Sequence, residues 1–169
     1  MADTGAGAGA GATINIPLPR GAGHVSVLAA WDAVVAPAAE RFAPDIILVS
    51  LGFDAHWRDP FALLRYRSDT YHVLAARLAA LTARLCRGRL VLLLEGGYCP
   101  EAVGTSVSET VRALLGRPPG PAAAAEAADP ALGGAGEPEV AALLDQLRSL
   151  HGLDGTPPNN GEEDRTGKS

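Results

Sequence analysis

Apolar positions along this chain follow two rhythms. In two short stretches they are nearly continuous: Ile46 to Leu51, β-branched at three positions, and Leu90 to Leu94 within "RLVLLLE". A strand apolar on both faces belongs inside a parallel sheet covered by helices. Elsewhere the apolar residues return at helical spacing. Over residues 25–42 these are Val27, Leu28, Trp31, Val34, Val35 and Phe42, with Pro37 expected to kink or split the helix. Over residues 68–87 the stripe is Tyr71, Leu74, Leu78, Leu81 and Leu85, with Ser68 or Asp69 as cap and Gly88 as the stop. A further helix is predicted over 100–115, opened by Pro100 and ended by Gly116. Thr13 to Ile16 predicts a short strand, stopped by Pro17, Pro19 and Gly21.

The resulting order is α-β-α-β-α over residues 13–117, an α/β unit with a parallel sheet. Residues 1–12 are a Gly/Ala run expected to be a flexible tail. From Arg117 the composition turns to Pro, Ala and Gly. Residues 118–169 are therefore expected to be mostly disordered low-complexity chain, apart from a short helix at 138–151. In open α/β sheets ligands bind outside the carboxyl ends of the strands. Here that edge carries two loops, "GFDAHWRDP" at 52–60 and "EGGY" at 95–98.

Both loops are rich in chemistry. Asp54 follows its strand closely and is suited to bind a metal, cap the next helix or hold the loop. His56 shares a side with Asp54 in an extended segment. An Asp-x-His pair so placed can seat zinc, although a histidine near a strand end is more often simply hydrogen-bonded. Asp59 before Pro60 reads first as a turn residue. Gly96 and Gly97 allow a backbone to approach a ligand closely. Tyr98 after them is suited either to donate a hydrogen bond to an oxyanion or to pack over the sheet edge. Glu95 can cap, pair or act as a base. No G-x-G-x-x-G loop is present, which argues against a nucleotide-binding domain.

Bulk composition narrows this further. The 169 residues suffice for one domain, and 47% are hydrophobic, but aromatics are only 5% and alanine is abundant. Each alanine buries little area, so the core is poorer than the percentage implies. The net charge of −5 gives no sign of direct nucleic-acid binding. No apolar run approaches the ~18 residues of a membrane span. Cys86 and Cys99 have neither metal-motif spacing nor the makings of a disulfide framework, which fits a reducing compartment. Nucleus, cytosol and organelle all remain open.

"PDIILVSLGFDAHWRDPFALL" and "GRLVLLLEGGY", in this order, resemble the zinc-dependent histone deacetylase family. That family includes acetylpolyamine amidohydrolases and acetoin-utilisation proteins, and the likeness is to class II-like, bacterial and plant-type members. The upstream "INIPLPRGAG" and "VVAPAAERFAPD" fit the same family, so the resemblance spans about residues 13–116. It implies the C-terminal part of a parallel-sheet, arginase-like deacetylase fold with helices flanking the strands. It implies that Asp54 is a ligand of the catalytic zinc. It also implies that Tyr98 polarises the acetyl carbonyl and stabilises the tetrahedral intermediate. Gly96 and Gly97 would line the acetyl pocket, Asp59-Pro60 would form a structural turn, and His56 would belong to the loop rather than to the metal. The substrate implied is an acetyl-lysine protein or a small acetylamide.

Some positions depart from the family's pattern. Leu51 stands where alanine is usual, "RYRS" at 65–68 where a threonine-containing turn is usual, and Cys99 where asparagine is usual. The family's histidine pair and Asp-x-His zinc segment belong upstream of the matched region. Here His24, His56, His72 and His151 are the only histidines, and none are adjacent. One zinc ligand is thus expected where a catalytic site takes three. The expectation is a chain inactive by itself, either truncated or completed by a separately encoded half. The alternative is a non-catalytic interaction protein derived from a deacetylase fragment, which associates with itself or a complementing chain through open sheet edges.

Overall fold

The computed structural model describes residues 3–132 and 138–154. After a short 3-10 turn at Gly7–Gly9, the chain runs through α1 (His24–Ala30), a π-helical turn (Trp31–Val35), α2 (Ala36–Phe42) and β1 (Ile47–Leu51). It continues through α3 (Ser68–Cys86), β2 (Leu90–Leu94), α4 (Pro100–Leu114), α5 (Pro121–Ala128) and α6 (Pro138–Leu150). The two strands pair in parallel, with Ile47 beside Leu90 and Leu51 beside Leu94. The architecture is α/β, with a partial two-stranded parallel sheet.

The core divides in two. One part lies between α3 and α4, the most extensively packed pair of helices. Ala75, Leu81 and Cys86 of α3 are buried, as are Ala102, Ser106 and Ala113 of α4. The small side chains let the two backbones approach closely. The other part joins Ala30 and Val34 to Val140, Leu144 and Leu147 of α6 and to Leu153. Burying a leucine such as Leu147 stabilises the fold by about 1.5–3 kcal/mol.

Several expectations are corrected. Thr13–Ile16 is not a strand, because no strand among the described residues takes its backbone groups. Pro37 interrupts the regular α-helix without ending the helical run. The proline lacks an N–H, so the i→i−4 bond it would make is absent. The chain absorbs this with the π-helical turn just before it and stays helical from His24 to Phe42. The N-cap of α3 is Arg67 rather than Ser68 or Asp69. At the other end, Arg87 takes the left-handed conformation at φ 55°, ahead of Gly88.

The strands are also less covered than two apolar faces demand. Leu48 is 63% exposed and Leu93 49%, on the face they share with Val91. Residues 118–169 are expected to be mostly disordered apart from a helix at 138–151. That helix is α6, which builds half the core, whereas α5 and the 3-10 turn Pro130–Leu132, which pack on the body of the fold, are not expected. The final "DGTPPNNGEEDRTGKS" lies largely outside the described residues.

Candidate functional site

The two loops at the carboxyl edge of the sheet are tied to each other by backbone. The Phe53 N–H donates to the Gly96 carbonyl (2.8 Å) and the Glu95 N–H to the Leu51 carbonyl (3.2 Å). The parallel pairing therefore continues one step past the strands, and Asp54 and Tyr98 emerge at one edge.

Asp54 is exposed, and its carboxylate lies directly over the glycines. A Cβ placed on Gly96 would stand 2.7 Å from Asp54 Oδ2, and one on Gly52 would stand 3.0 Å from Oδ1. Only glycine leaves room for the carboxylate there. Gly97 adopts φ 128°, and a Cβ on it would meet Val103 Cγ2 at 2.6 Å and Phe53 Cβ at 3.0 Å. A side chain on Gly96 would displace the Asp54 carboxylate, and Gly97 is required both by close approach and by its backbone conformation.

Tyr98 is 59% exposed, with its ring edge-on to Phe61 at 5.1 Å between centroids. Its backbone is held by Asp59, whose Oδ2 accepts the Tyr98 N–H at 2.6 Å. Asp59 Oδ1 accepts the Phe61 N–H at 3.0 Å, the side-chain turn expected of an aspartate before proline. One buried carboxylate thus fixes the backbone of both rings. Pro60 sits exposed at the outer corner of that turn.

His56 is buried, at 1% exposure. Its Nδ1 accepts the Arg58 N–H (3.2 Å), so in the neutral ring the proton resides on Nε2. Nε2 faces Ser68 Oγ at 3.2 Å and Glu126 Oε2 at 3.6 Å. The imidazole therefore points into the fold, away from the Asp54 carboxylate on the outer edge. Glu95 accepts from Ser50 Oγ at 3.2 Å on the exposed side of the strands.

Three nearby residues carried no functional signal in the sequence. Tyr71, visible only as a helical apolar position, packs its ring on Phe53 at 4.9 Å and lies parallel to His56. Its buried hydroxyl has no partner among the described residues. Burial pushes that hydroxyl's pKa up, and the nearby Tyr66, Asp54 and Asp59 add to the rise. Phe61 was marked only by following Asp-Pro. Glu126 is the single charged residue of "PAAAAEAA". It accepts the Ser68 N–H at 2.7 Å, at the start of α3. Burial raises the Glu126 pKa, but the nearby His56 imidazole and the hydrogen bond from the Ser68 backbone outweigh that and bring it down to about 2.

The residues present do not by themselves fit a catalytic zinc. Among the described residues no group of three or more His, Cys, Asp or Glu is placed to hold a metal ion. Asp54 is a hard oxygen donor with an open face, but a single one. A catalytic zinc takes three protein ligands.

The sequence model of the histone deacetylase domain matches residues 1–114. The chain belongs to the histone deacetylase family. Histone deacetylase 10, chloroplastic, of Oryza sativa subsp. japonica is 47% identical over 137 residues, covering 80% of this chain and 30% of that protein. The histone deacetylase-like amidohydrolase of Pseudomonas aeruginosa is 41% identical over 78 residues, 46% of this chain and 20% of its own length. A solved structure of the histone deacetylase Clr3 superposes with a TM-score of 0.72 at 27% identity, covering 95% of this chain and 27% of that one. This deacetylase-family chain thus spans less than a third of each of these relatives. The likeness to the Clr3 structure extends over nearly the whole chain, beyond the residues that the family model matches.

Proposed function

We propose that these residues form the carboxyl-edge part of a deacetylase site that hydrolyses acetyl-lysine or a related acetylamide. One observation carries this reading. An open carboxylate, Asp54, and an exposed phenol, Tyr98, leave one sheet edge on loops locked together by backbone hydrogen bonds. In that role the Tyr98 hydroxyl donates a hydrogen bond to the carbonyl oxygen as negative charge develops on it. One such donor is worth about 10²–10³ in rate. Asp59 holds the Tyr98 backbone so that the phenol needs little reorganisation. Gly96 and Gly97 keep the edge free of side chains where the acetyl group would lie. Zinc dependence belongs to the same reading, with Asp54 contributing one ligand to a metal that needs groups outside this stretch.

By the same reasoning the 169-residue polypeptide alone is inactive and binds zinc weakly. The test is hydrolysis of an acetyl-lysine peptide by the purified chain with added zinc. No turnover is expected. Turnover that Tyr98→Phe abolishes would overturn the proposed inactivity and support the role of Tyr98. Turnover indifferent to Tyr98→Phe would overturn both.

A second reading, a non-catalytic interaction protein, rests on the apolar sheet face that Leu48 and Leu93 leave open.

A further inference from the structure

The segment after Arg117 reaches back to the site loop. α5 is anchored at both ends by carboxylates. At its start the Gly120 N–H donates to Glu109 Oε1 and Oε2 (2.9 and 3.2 Å), and the buried Glu109 also faces His72 Nδ1 at 3.1 Å. A Cβ on Gly120 would stand 2.7 Å from Glu109 Oε1, so the chain enters α5 hard against that group. Two residues before its end, α5 delivers Glu126 to the start of α3.

There Glu126 does two things. It accepts the Ser68 N–H, one of the first-turn donors that no helical carbonyl can satisfy. It also lies 3.6 Å from His56 Nε2, the ring nitrogen that carries the proton. His56 sits inside the loop that runs from Asp54 to Asp59. Its other nitrogen holds the Arg58 N–H, and the Asp59 N–H donates to the His56 carbonyl (2.8 Å). Asp59 in turn holds the amides of Phe61 and Tyr98. A line of contacts therefore connects a glutamate beyond residue 114 to the backbone of the exposed tyrosine.

We infer that Glu126 is a positioning residue for the site edge: it fixes His56, and through the 56–59 turn and Asp59 it sets the place of Tyr98 and Phe61. The naming of that edge as a catalytic one rests on the function proposed above. The contacts themselves do not.

The test is amide hydrogen exchange, resolved by NMR, on the full 169-residue chain and its Glu126→Ala variant. Alanine is the best helix former, so α5 loses only the carboxylate. Losing a hydrogen bond to a charged group is expected to speed exchange of the Phe61 and Tyr98 amides about tenfold or more. The Leu81 and Ala113 amides, in the α3–α4 core, are expected to change little. The ring proton shifts of Tyr98 and Phe61 are expected to move, because their edge-on contact loosens. Ser68→Pro breaks the same corner from the other side, removing both the N–H that Glu126 accepts and the Oγ that contacts His56 Nε2. Proline is favoured at the first helical position and lacks the N–H that Glu126 accepts. It is expected to give the same local pattern.

Uniform acceleration across all four amides in both variants would mean that Glu126 only adds general stability, and would overturn the inference. So would unchanged Phe61 and Tyr98 amides in a folded variant. Since no turnover is measured, failure here leaves the proposed reaction standing, and failure of that reaction leaves this result standing.

Discussion

Gly97 and Gly104 lie seven positions apart and answer to opposite rules. Gly97 holds φ 128° with Val103 and Phe53 against the space a side chain would take. Gly104 sits inside α4 with nothing within 4 Å of an added Cβ. Gly97→Ala is expected to destabilise by about 1–3 kcal/mol, from backbone strain. Gly104→Ala is expected to stabilise by roughly 0.5–1 kcal/mol, from helix propensity. Urea denaturation of the two variants checks both signs. The same contrast explains what could be read at this scale. "EGGY" marks itself as a tight approach because two adjacent glycines have few other uses. That the carboxylate filling the space is Asp54, across the strand pair, depends on register. The sequence carries no such label for Tyr71 either. Its helical spacing announces burial but not that its hydroxyl is buried without a partner.

Among the elements, α5 departs furthest from expectation. Its alanines predict helix as readily as low complexity, and its hydrophobic surface is thin. What fixes it is Glu109 at one end and Glu126 at the other, contacts that bridge 11 and 58 positions. Glu126 has a pKa of about 2 in the fold against an ordinary 4.5. A carboxyl lowered on folding stabilises while it is ionised. Its contribution is complete above about pH 4.5 and is lost as the pH falls towards 2. The groups that face it are His56, the Ser68 amide and, at longer range, Arg67. An acid titration followed by helical circular dichroism is expected to show a loss in that window which Glu126→Ala lacks. α1 and α2 carry a similar lesson. Pro37 is visible in the sequence as a breaker. Whether a helix breaks, kinks or takes in a π-turn is decided by what it packs on, here α6 through Ala30 and Val34.

For the molecule as a whole, the sheet is the governing feature. Two parallel strands are too few to be stable by themselves. Leu48, Val91 and Leu93 present an apolar face to solvent, and Ile46 and Phe42 extend the exposed surface beside it. We expect the 169-residue chain to associate in a concentration-dependent way, through this face or the strand edges. Size-exclusion chromatography with light scattering over a range of concentrations checks this. A clean monomer throughout would count against it. Leu48→Lys with Leu93→Lys is expected to shift the balance towards monomer, since lysines on an open face oppose pairing.

The sequence by itself determined the two strands, the long helices and the family. Short, continuous apolar runs rich in β-branched residues read as strands, and the two loops that follow them carry residues too specific to arise from packing. It determined that the two candidate loops share one edge, because parallel strands send their loops to one side. Only the tertiary structure decided which groups meet there. The Asp54 carboxylate over Gly96, Asp59 beneath Tyr98 and Glu126 against His56 are contacts between segments 39 to 70 positions apart. No local pattern encodes such a meeting. Pairing register and helix docking set it, and both are properties of the whole folded chain.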